Sequence, residues 1–257
     1  MGDLHADLDN AIEVLRLAGL VDADGAWTGG ETILVQTGDT TDRGPDSKAL
    51  LELMRTLPAQ AEAAGGRVIP LIGNHEMMNL LGDWRYVHPG DVEAYGGKEA
   101  RVAAFSADGP DGEWIANADV VAQVGDSVFV HGGVTKRWAE RGIDGINDAA
   151  RVAMRAQTGE VLGEAGPLWY RGYVQEPETQ ACPALKAALD VLGARRMLVG
   201  HTTRRDGKVQ ARCNGALLVI DIGIADHYGA NLGAVEIVDG DARALYPSGV
   251  VDLPDPG

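Results

Sequence analysis

Several side chains that can bind metals or transfer protons stand beside a glycine in this sequence. They are Asp3 and His5 in GDLH (2–5), Asp39 in GDTTDRG (38–44), Asn74 and His75 in GNHE (73–76), His131 in HGG (131–133) and His201 in GHT (200–202). Asp, His and Asn side chains without any Cys form a mixed oxygen and nitrogen ligand set, which suits Mn²⁺, Fe or Zn²⁺. The sequence therefore predicts a metal site, with Mn²⁺ as the first choice of metal.

The ligand set is large enough for two divalent ions if one carboxylate bridges them. With Asp39 as the bridge, Asp3 and His5 complete one ion, and Asn74, His131 and His201 complete the other. Two such ions, two carboxylates and a bridging hydroxide leave a net charge of about +1, which attracts a phosphate dianion. Such a centre also lowers the pKa of a bound water toward ~7. The predicted chemistry is phosphoester hydrolysis by a metal-bound hydroxide.

Further residues in the same motifs fit this reaction. His75 directly follows Asn74 and can act as the general acid that protonates the leaving-group oxygen, while Asp42 holds and polarises its ring. Arg43 supplies a planar fork of donors for phosphate oxygens, and Arg171 in PLWYRG adds a second.

Short apolar runs that stop at Gly precede most of these residues. The runs are ILVQTGD (33–39), VIPLIGNH (68–75), SVFVHGG (127–133), RMLVGHT (196–202) and LLVIDIG (217–223). Continuous runs of this kind predict strands buried on both faces, and apolar residues at i, i+4 and i+7 predict helices around 8–15, 50–57 and 185–192. Because open α/β sheets bind ligands beyond the carboxyl ends of their strands, we expect an α/β fold with these polar residues at one edge.

Two regions of the sequence lack the patterns of buried strands and amphipathic helices described above. Residues 83–118 show weak periodicity and several turn signals, which predict an excursion or cap. Residues 209–247 alternate short strand-like runs with Asn-Gly and Asp-Gly turns, which predicts a hairpin meander.

Composition excludes several classes of protein. At ~150 residues per domain, 257 residues fit one large domain or two small ones, and a single domain, 1–257, is predicted. The net charge of −16 repels polyphosphate backbones, so no nucleic-acid polymer is expected as a partner. No apolar run reaches the ~18 residues of a membrane span, and the acidic start lacks the features of a secretory signal. A cytoplasmic protein without a membrane partner is therefore predicted, and the sequence leaves the oligomeric state open.

The two cysteines, Cys182 and Cys213, are 31 positions apart and lack CxxC spacing. This pattern argues against a disulfide framework or a thiolate zinc site, and predicts two buried structural thiols.

GDLH, GDTTDRG, GNHE, HGG and GHT, in this order, resemble the signature motifs of the calcineurin-like metallophosphoesterases, specifically their phosphoprotein phosphatase branch. The resemblance implies an αββα sandwich of two mixed β-sheets flanked by helices. It also implies metal ligation by Asp3, His5, Asp39, Asn74, His131 and His201, acid catalysis by His75 with Asp42, and phosphate contacts by Arg43 and Arg171. Only Met1 and Gly2 precede Asp3, so the apolar strand that normally leads into GDxH in this family is expected to be missing.

Details of the motifs favour one branch of that family. Related phosphodiesterases end in GHxH, whereas Thr203 replaces the second His here. Asp42 and Glu76 match the protein phosphatases rather than the symmetrical diadenosine tetraphosphatases, and GNHEMMNLLGDWRYV, PLWYRGY and DIGIADHYG look most like the bacterial Shewanella-like phosphatases. The leading prediction is a dinuclear phosphomonoesterase acting on phosphorylated protein. The alternatives are a hydrolase of nucleotides or other small phosphoesters, and a non-catalytic phosphoprotein-binding scaffold.

Overall fold

The structure is a computed structural model that describes residues 1–257, with ten α-helices and ten β-strands. The helices are α1 Leu8–Leu17, α2 Ser47–Ala63, α3 Asn74–Leu80, α4 Pro89–Ala94, α5 Lys98–Phe105, α6 Pro110–Asn117, α7 Lys136–Ala139, α8 Gly142–Ala156, α9 Gly172–Gln175 and α10 Glu178–Leu192. The strands are β1 Ile33–Gln36, β2 Arg67–Pro70, β3 Val121–Val124, β4 Ser127–Val130, β5 Arg196–Val199, β6 Gln210–Arg212, β7 Leu217–Val219, β8 Ala234–Val238, β9 Asp241–Tyr246 and β10 Gly249–Asp252. None of the helices is long and apolar enough to cross a lipid bilayer.

The strands form two layers between two layers of helices. One layer is a five-stranded mixed sheet in the order β3-β4-β5-β7-β6, in which β4, β5 and β7 are parallel. The facing layer holds the parallel pair β1-β2 and the antiparallel meander β8-β9-β10. The predicted αββα arrangement is confirmed, with the difference that the second layer consists of two separate hydrogen-bonded sets.

Apolar side chains account for this layering, because the central strands of the five-stranded sheet, β4, β5 and β7, are buried on both faces. Val35 and Ile69 pack toward Phe129 between the layers, and Leu198 and Ile237 meet in a second cluster of the same interface. The outer faces are covered by α1 and α2 on one side and by α3, α5, α6, α8 and α10 on the other. The helices predicted at 8–15, 50–57 and 185–192 correspond to α1, α2 and α10.

The segment that carries the first motif is buried although it lies at the start of the chain. The amino group of Met1 donates to the Val35 carbonyl at 2.9 Å, and the Thr37 amide donates to the Met1 carbonyl at 3.1 Å. The Leu4 and His5 amides both donate to the Asp39 carbonyl at 2.9 Å. Residues 1–6 are therefore tied to β1 and to the turn that follows it.

The prediction of two separate thiols is wrong, because Cys182 and Cys213 form a disulfide. Cys182 lies on α10 and Cys213 begins a short 3₁₀ turn between β6 and β7, and their Cα atoms are 5.4 Å apart. Both residues are only partly buried. Spacing along the chain could not show this proximity, since it arises from the packing of α10 beside the sheet edge.

Candidate active site

The turns that follow the strands carry non-glycine residues in left-handed backbone conformations. The φ angle is 45° at His5, 53° at Asp39, 69° at Asp42, 73° at Arg43 and 65° at His201. Such conformations cost on the order of 1–3 kcal/mol each and persist only where the surrounding structure enforces them. The site residues are thus held in place at a cost to the local backbone.

The Glu76 carboxylate fixes the turn that contains Asp39. Its Oε1 accepts the amides of Thr40 and Thr41 at 2.8 Å, and its Oε2 accepts those of Asp39 at 2.8 Å and Gly73 at 2.7 Å. Because Glu76 is 1% exposed, these amides have no water as an alternative partner. In the sequence, Glu76 indicated only the branch of the family, and its role in holding this turn was not predicted.

Two glycines allow these turns to approach each other closely. Gly38 has φ of 92°, and a Cβ there would lie 2.3 Å from the Gly73 amide nitrogen. A Cβ on Gly73 would lie 2.2 Å from Oδ1 of Asp39. Any side chain at either position would push Asp39 away from the site.

One group of electron-pair donors converges on Nε2 of His131. This nitrogen lies 3.0 Å from Oδ1 of Asn74, 3.1 Å from Nδ1 of His201 and 3.2 Å from Oδ2 of Asp39. All four residues are buried.

Hydrogen bonds to two backbone carbonyls orient the imidazoles of His131 and His201. Nδ1 of His131 is 2.9 Å from the Thr37 carbonyl, and Nε2 of His201 is 3.2 Å from the Trp169 carbonyl. A carbonyl only accepts, so each of these nitrogens carries a ring N–H, and in the neutral ring the opposite nitrogen offers a lone pair to a metal. Lone pairs this close repel unless a cation lies between them. The arrangement therefore fits a divalent metal ion, and the carbonyls orient the ligands as in known metal sites.

A second donor group shares Asp39 with the first. Nε2 of His5 lies 3.8 Å from Oδ2 of Asp39 and 3.9 Å from Oδ2 of Asp3. Nδ1 of His5 donates to the Thr41 carbonyl at 3.3 Å, which again leaves Nε2 bare. Oδ1 of Asp3 is buried without any hydrogen-bond partner. A second divalent ion fits here, with Asp39 between the two.

The pKa values agree with ligation. Burial lowers the pKa of His5 to about 3, and burial together with His131 and Arg171 lowers that of His201 to about 2. Both rings are therefore neutral at ordinary pH, which is the form that binds metals. Burial alone would raise the pKa of Asp39, but its histidine neighbours hold it well below its usual range. A charged carboxylate thus lies between the two donor groups.

His75 and Asp42 form a pair at the edge of the second group. Nδ1 of His75 donates to Oδ2 of Asp42 at 2.7 Å, and the side-chain amide of Asn79 donates to Oδ1 of Asp42 at 2.9 Å. Nε2 of His75 lies 3.9 Å from Oδ2 of Asp39. Burial would lower the pKa of His75, but Asp39 and Asp42 outweigh it and raise this pKa above its usual value. The surroundings therefore favour the protonated ring, which is the form that a general acid needs.

The two arginines line the mouth of the site. The Arg43 guanidinium stacks on the Tyr86 ring at 4.0 Å and is 5.9 Å from the Tyr228 ring. Arg171 donates to the His201 carbonyl at 2.5 Å and to the Thr202 hydroxyl at 3.0 Å. Both arginines line a polar cavity of about 180 Å³. This volume is well below the ~300 Å³ lower end of sites for drug-sized ligands, and suits a phosphoryl group.

The structure brings all ten predicted site residues together. Seven line the cavity: His5, Asp39, Arg43, Asn74, His75, Arg171 and His201. The other three, Asp3, Asp42 and His131, lie beneath them in contact with the first set. A larger cleft of about 740 Å³ between β1 and β8 is mainly apolar and contains none of the ten, so the chemistry belongs to the smaller cavity.

Asp221 is a residue of this centre that sequence reasoning missed. It follows β7, is 1% exposed, and accepts the Gly223 amide at 3.1 Å through Oδ1, while its Oδ2 has no partner. Burial and the nearby charges of Asp221 and Asp39 raise the pKa of Asp3. The available signal was the run LLVIDIG, whose strand ends at this Asp like the other strands of the site.

Comparison with known proteins relates this geometry to a family. The sequence model of the calcineurin-like phosphoesterases matches residues 1–204. The chain is 36% identical to an uncharacterized protein of Schizosaccharomyces pombe over 98% of this chain and 82% of that one. It is 33% identical to Shewanella-like protein phosphatase 2 of Arabidopsis thaliana, over 88% and 70%. The crystal structure of a cold-active protein-tyrosine phosphatase of a psychrophilic Shewanella species superposes with a TM-score of 0.85 at 29% identity, covering 98% of this chain and 78% of that one.

Proposed function

Since this chain belongs to the calcineurin-like phosphoesterase family and is a metal-dependent phosphoester hydrolase, we propose that it is a two-metal phosphomonoesterase acting on phosphorylated proteins. The observation that carries this proposal is the pair of bare electron-pair donor groups that share Asp39, beside a hydrogen-bonded His75–Asp42 pair.

Two sets of residues would hold the ions. Asp3, His5 and Asp39 would hold one, and Asp39, Asn74, His131 and His201 the other. When bound, the ions neutralise phosphate charge and activate a water as nucleophile. The oxygen and nitrogen donors suit Mn²⁺, Fe or Zn²⁺, and Mn²⁺ is the metal we propose.

The protein's own side chains perform the remaining steps. Arg43 and Arg171 bind the phosphate oxygens and orient the ester in the cavity. His75 holds a proton on Nε2 while Asp42 fixes the ring through Nδ1, so the proton is available to the leaving oxygen. Without that proton, the leaving group would depart as an unstable alkoxide or phenolate.

The cavity favours monoesters over diesters. Its small polar volume accommodates one phosphoryl group, which both ester types share, whereas Thr203 at its wall replaces the second His of the related phosphodiesterases and so favours a monoester. The aromatic side chains of Tyr86, Trp169 and Tyr228 surround the opening, where the remainder of the substrate must lie. The names of the Arabidopsis and Shewanella relatives support phosphorylated protein as that substrate.

We propose further that residues 1–257 form one domain with helices α4 to α6 as its cap. The apolar contact of Ile237 with the cluster around Leu198 supports this, because it joins the C-terminal meander to the five-stranded sheet. A cytoplasmic location remains a prediction from the sequence, and the Cys182–Cys213 disulfide favours a non-reducing compartment instead.

Chelator-stripped protein should be assayed on p-nitrophenyl phosphate, bis-p-nitrophenyl phosphate, diadenosine tetraphosphate and phosphopeptides, with and without Mn²⁺. We expect Mn²⁺ to restore cleavage of the monoester and the phosphopeptides. Preference for the nucleotide would favour the small-phosphoester alternative, and preference for the diester would refute the phosphomonoesterase assignment.

A further inference from the structure

Arg101 is a fully buried arginine that lies behind the His75–Asp42 pair. Its Nε donates to Oδ2 of Asp91 at 2.8 Å, and its Nη2 is 3.9 Å from Oδ1 of Asp42. The side chain is 0% exposed, and neither Nη1 nor Nη2 has a hydrogen-bond partner. Burying a guanidinium with idle donors is costly, so its charge must be offset by its surroundings.

Aromatic rings and a second carboxylate hold the guanidinium in place. The Phe105, Trp84 and Tyr95 rings lie 4.4, 4.9 and 5.6 Å from its central carbon. Asp91 in turn accepts the Ser47 amide at 3.0 Å. The cap helices α4 and α5, which supply Asp91 and Arg101, are thereby locked to the start of α2.

His75 and Arg101 are the two positively charged side chains that face the Asp42 carboxylate. Its Oδ2 is occupied by the ring of His75, while its Oδ1 faces the Asn79 amide at 2.9 Å and Arg101 at 3.9 Å. A neutral amide orients the carboxylate, but only the guanidinium supplies a positive charge on this side. The attraction between Arg101 and Asp42 holds the carboxylate in the position from which it accepts the hydrogen bond of Nδ1 of His75.

We propose that Arg101 is a positioning residue for acid catalysis, acting through Asp42 on His75. The inference rests on the proposed function, because it requires His75 to protonate the leaving group. The cap helices then contribute to catalysis, because they place the buried charge of Arg101 behind the His75–Asp42 pair.

Leaving-group dependence distinguishes this role from a general structural one. Departure of p-nitrophenolate, a stable anion, needs little proton donation, whereas phenyl phosphate needs much more. Arg101→Met, which keeps the length and apolar stem of the side chain, should lower kcat for phenyl phosphate about ten-fold more than kcat for p-nitrophenyl phosphate. KM and bound Mn²⁺ should stay within about two-fold of wild type in the same measurements. Arg101→Lys should restore part of the difference, and Arg155→Met, at an exposed arginine on α8, should leave both rates unchanged.

Further variants show whether Arg101 acts through His75 or only stabilises the fold. In a His75→Asn background, Arg101→Lys should cause no additional leaving-group effect, because the two residues act in one chain. If Arg101→Met does not fold, Arg101→Lys alone should shift the ratio of the two rates in the same direction. An equal fall for both substrates, or an unchanged ratio, overturns the inference while leaving the phosphatase proposal intact. A wild-type protein inactive on both substrates would refute the proposed function instead.

Discussion

Replacing Glu76 by Gln tests how the active-site turn is held. The carboxylate accepts four backbone amides and the Thr41 hydroxyl, and Gln keeps one accepting oxygen while turning the other into a donor. The least damaging arrangement puts the new NH₂ group at Oε2, where it faces the amides of Asp39 and Gly73. At about 1–3 kcal/mol for each buried donor left unpaired, the cost is about 2–6 kcal/mol.

The burial of the charged Glu76 carboxylate in the wild-type protein reduces this expected cost of the substitution. Burial and Asp39 raise the pKa of Glu76, so the neutral Gln regains part of the desolvation free energy. We therefore expect Glu76→Gln to lower the free energy of unfolding by about 2–4 kcal/mol, a large share of the ~5–15 kcal/mol of an ordinary protein.

Urea denaturation of the metal-free protein, followed by tryptophan fluorescence, measures this change directly. The matched control is Glu62→Gln at an exposed position on α2, which should change stability by less than about 0.5 kcal/mol. A loss below about 1 kcal/mol at Glu76 would show that the turn does not depend on this carboxylate, and would refute the reasoning.

Three further predictions concern chemistry and metal binding. His75→Asn should lower kcat by about 10²–10⁴ with little change in bound Mn²⁺. Because Asp39 and Asp42 raise the pKa of His75 against the effect of burial, the wild-type rate should fall only as pH rises through a pKa above 6.5. If the pH profile of the variant keeps this fall, the assignment of His75 as the general acid is contradicted. Arg43→Ala should raise KM and weaken inhibition by free phosphate, so unchanged values in steady-state assays would exclude a phosphate contact. Asp221→Asn should weaken Mn²⁺ binding about ten-fold in calorimetric titrations, since it removes a buried charge beside Asp3, and equal or tighter binding would count against it.

The sequence could predict the site because its residues follow strands that end at one edge. ILVQTGD and RMLVGHT are predicted as strands that end at ligand residues, and they correspond to β1 and β5 in the two facing layers, so Asp39 and His201 meet where the ends of the layers come together. The structure gives this arrangement, and the match of the family model and the phosphatase relatives confirms the family resemblance. The α/β class followed from the same runs, while the sandwich itself followed only from the resemblance.

The residues that were missed act through packing that spacing does not record. Glu76 points away from the substrate and binds amides of a turn 35 to 37 positions earlier. Arg101 lies in the region of weak periodicity, and its burial depends on three aromatic rings and Asp91. Cys182 and Cys213 meet because α10 packs against the turn before β7. The Glu76 and cysteine contacts are long-range, and Arg101 packs within a segment that has no clear periodicity, so no sequence pattern predicts these contacts.

The most direct test of the central claim is to measure activity against bound metal in one titration. Mn²⁺ is added stepwise to chelator-stripped protein, and bound metal and p-nitrophenyl phosphate hydrolysis are recorded at each step. The shared Asp39 between two donor groups predicts that activity rises to its full value at two bound ions per chain. Full activity at one ion, or two bound ions without monoester hydrolysis, would contradict the account.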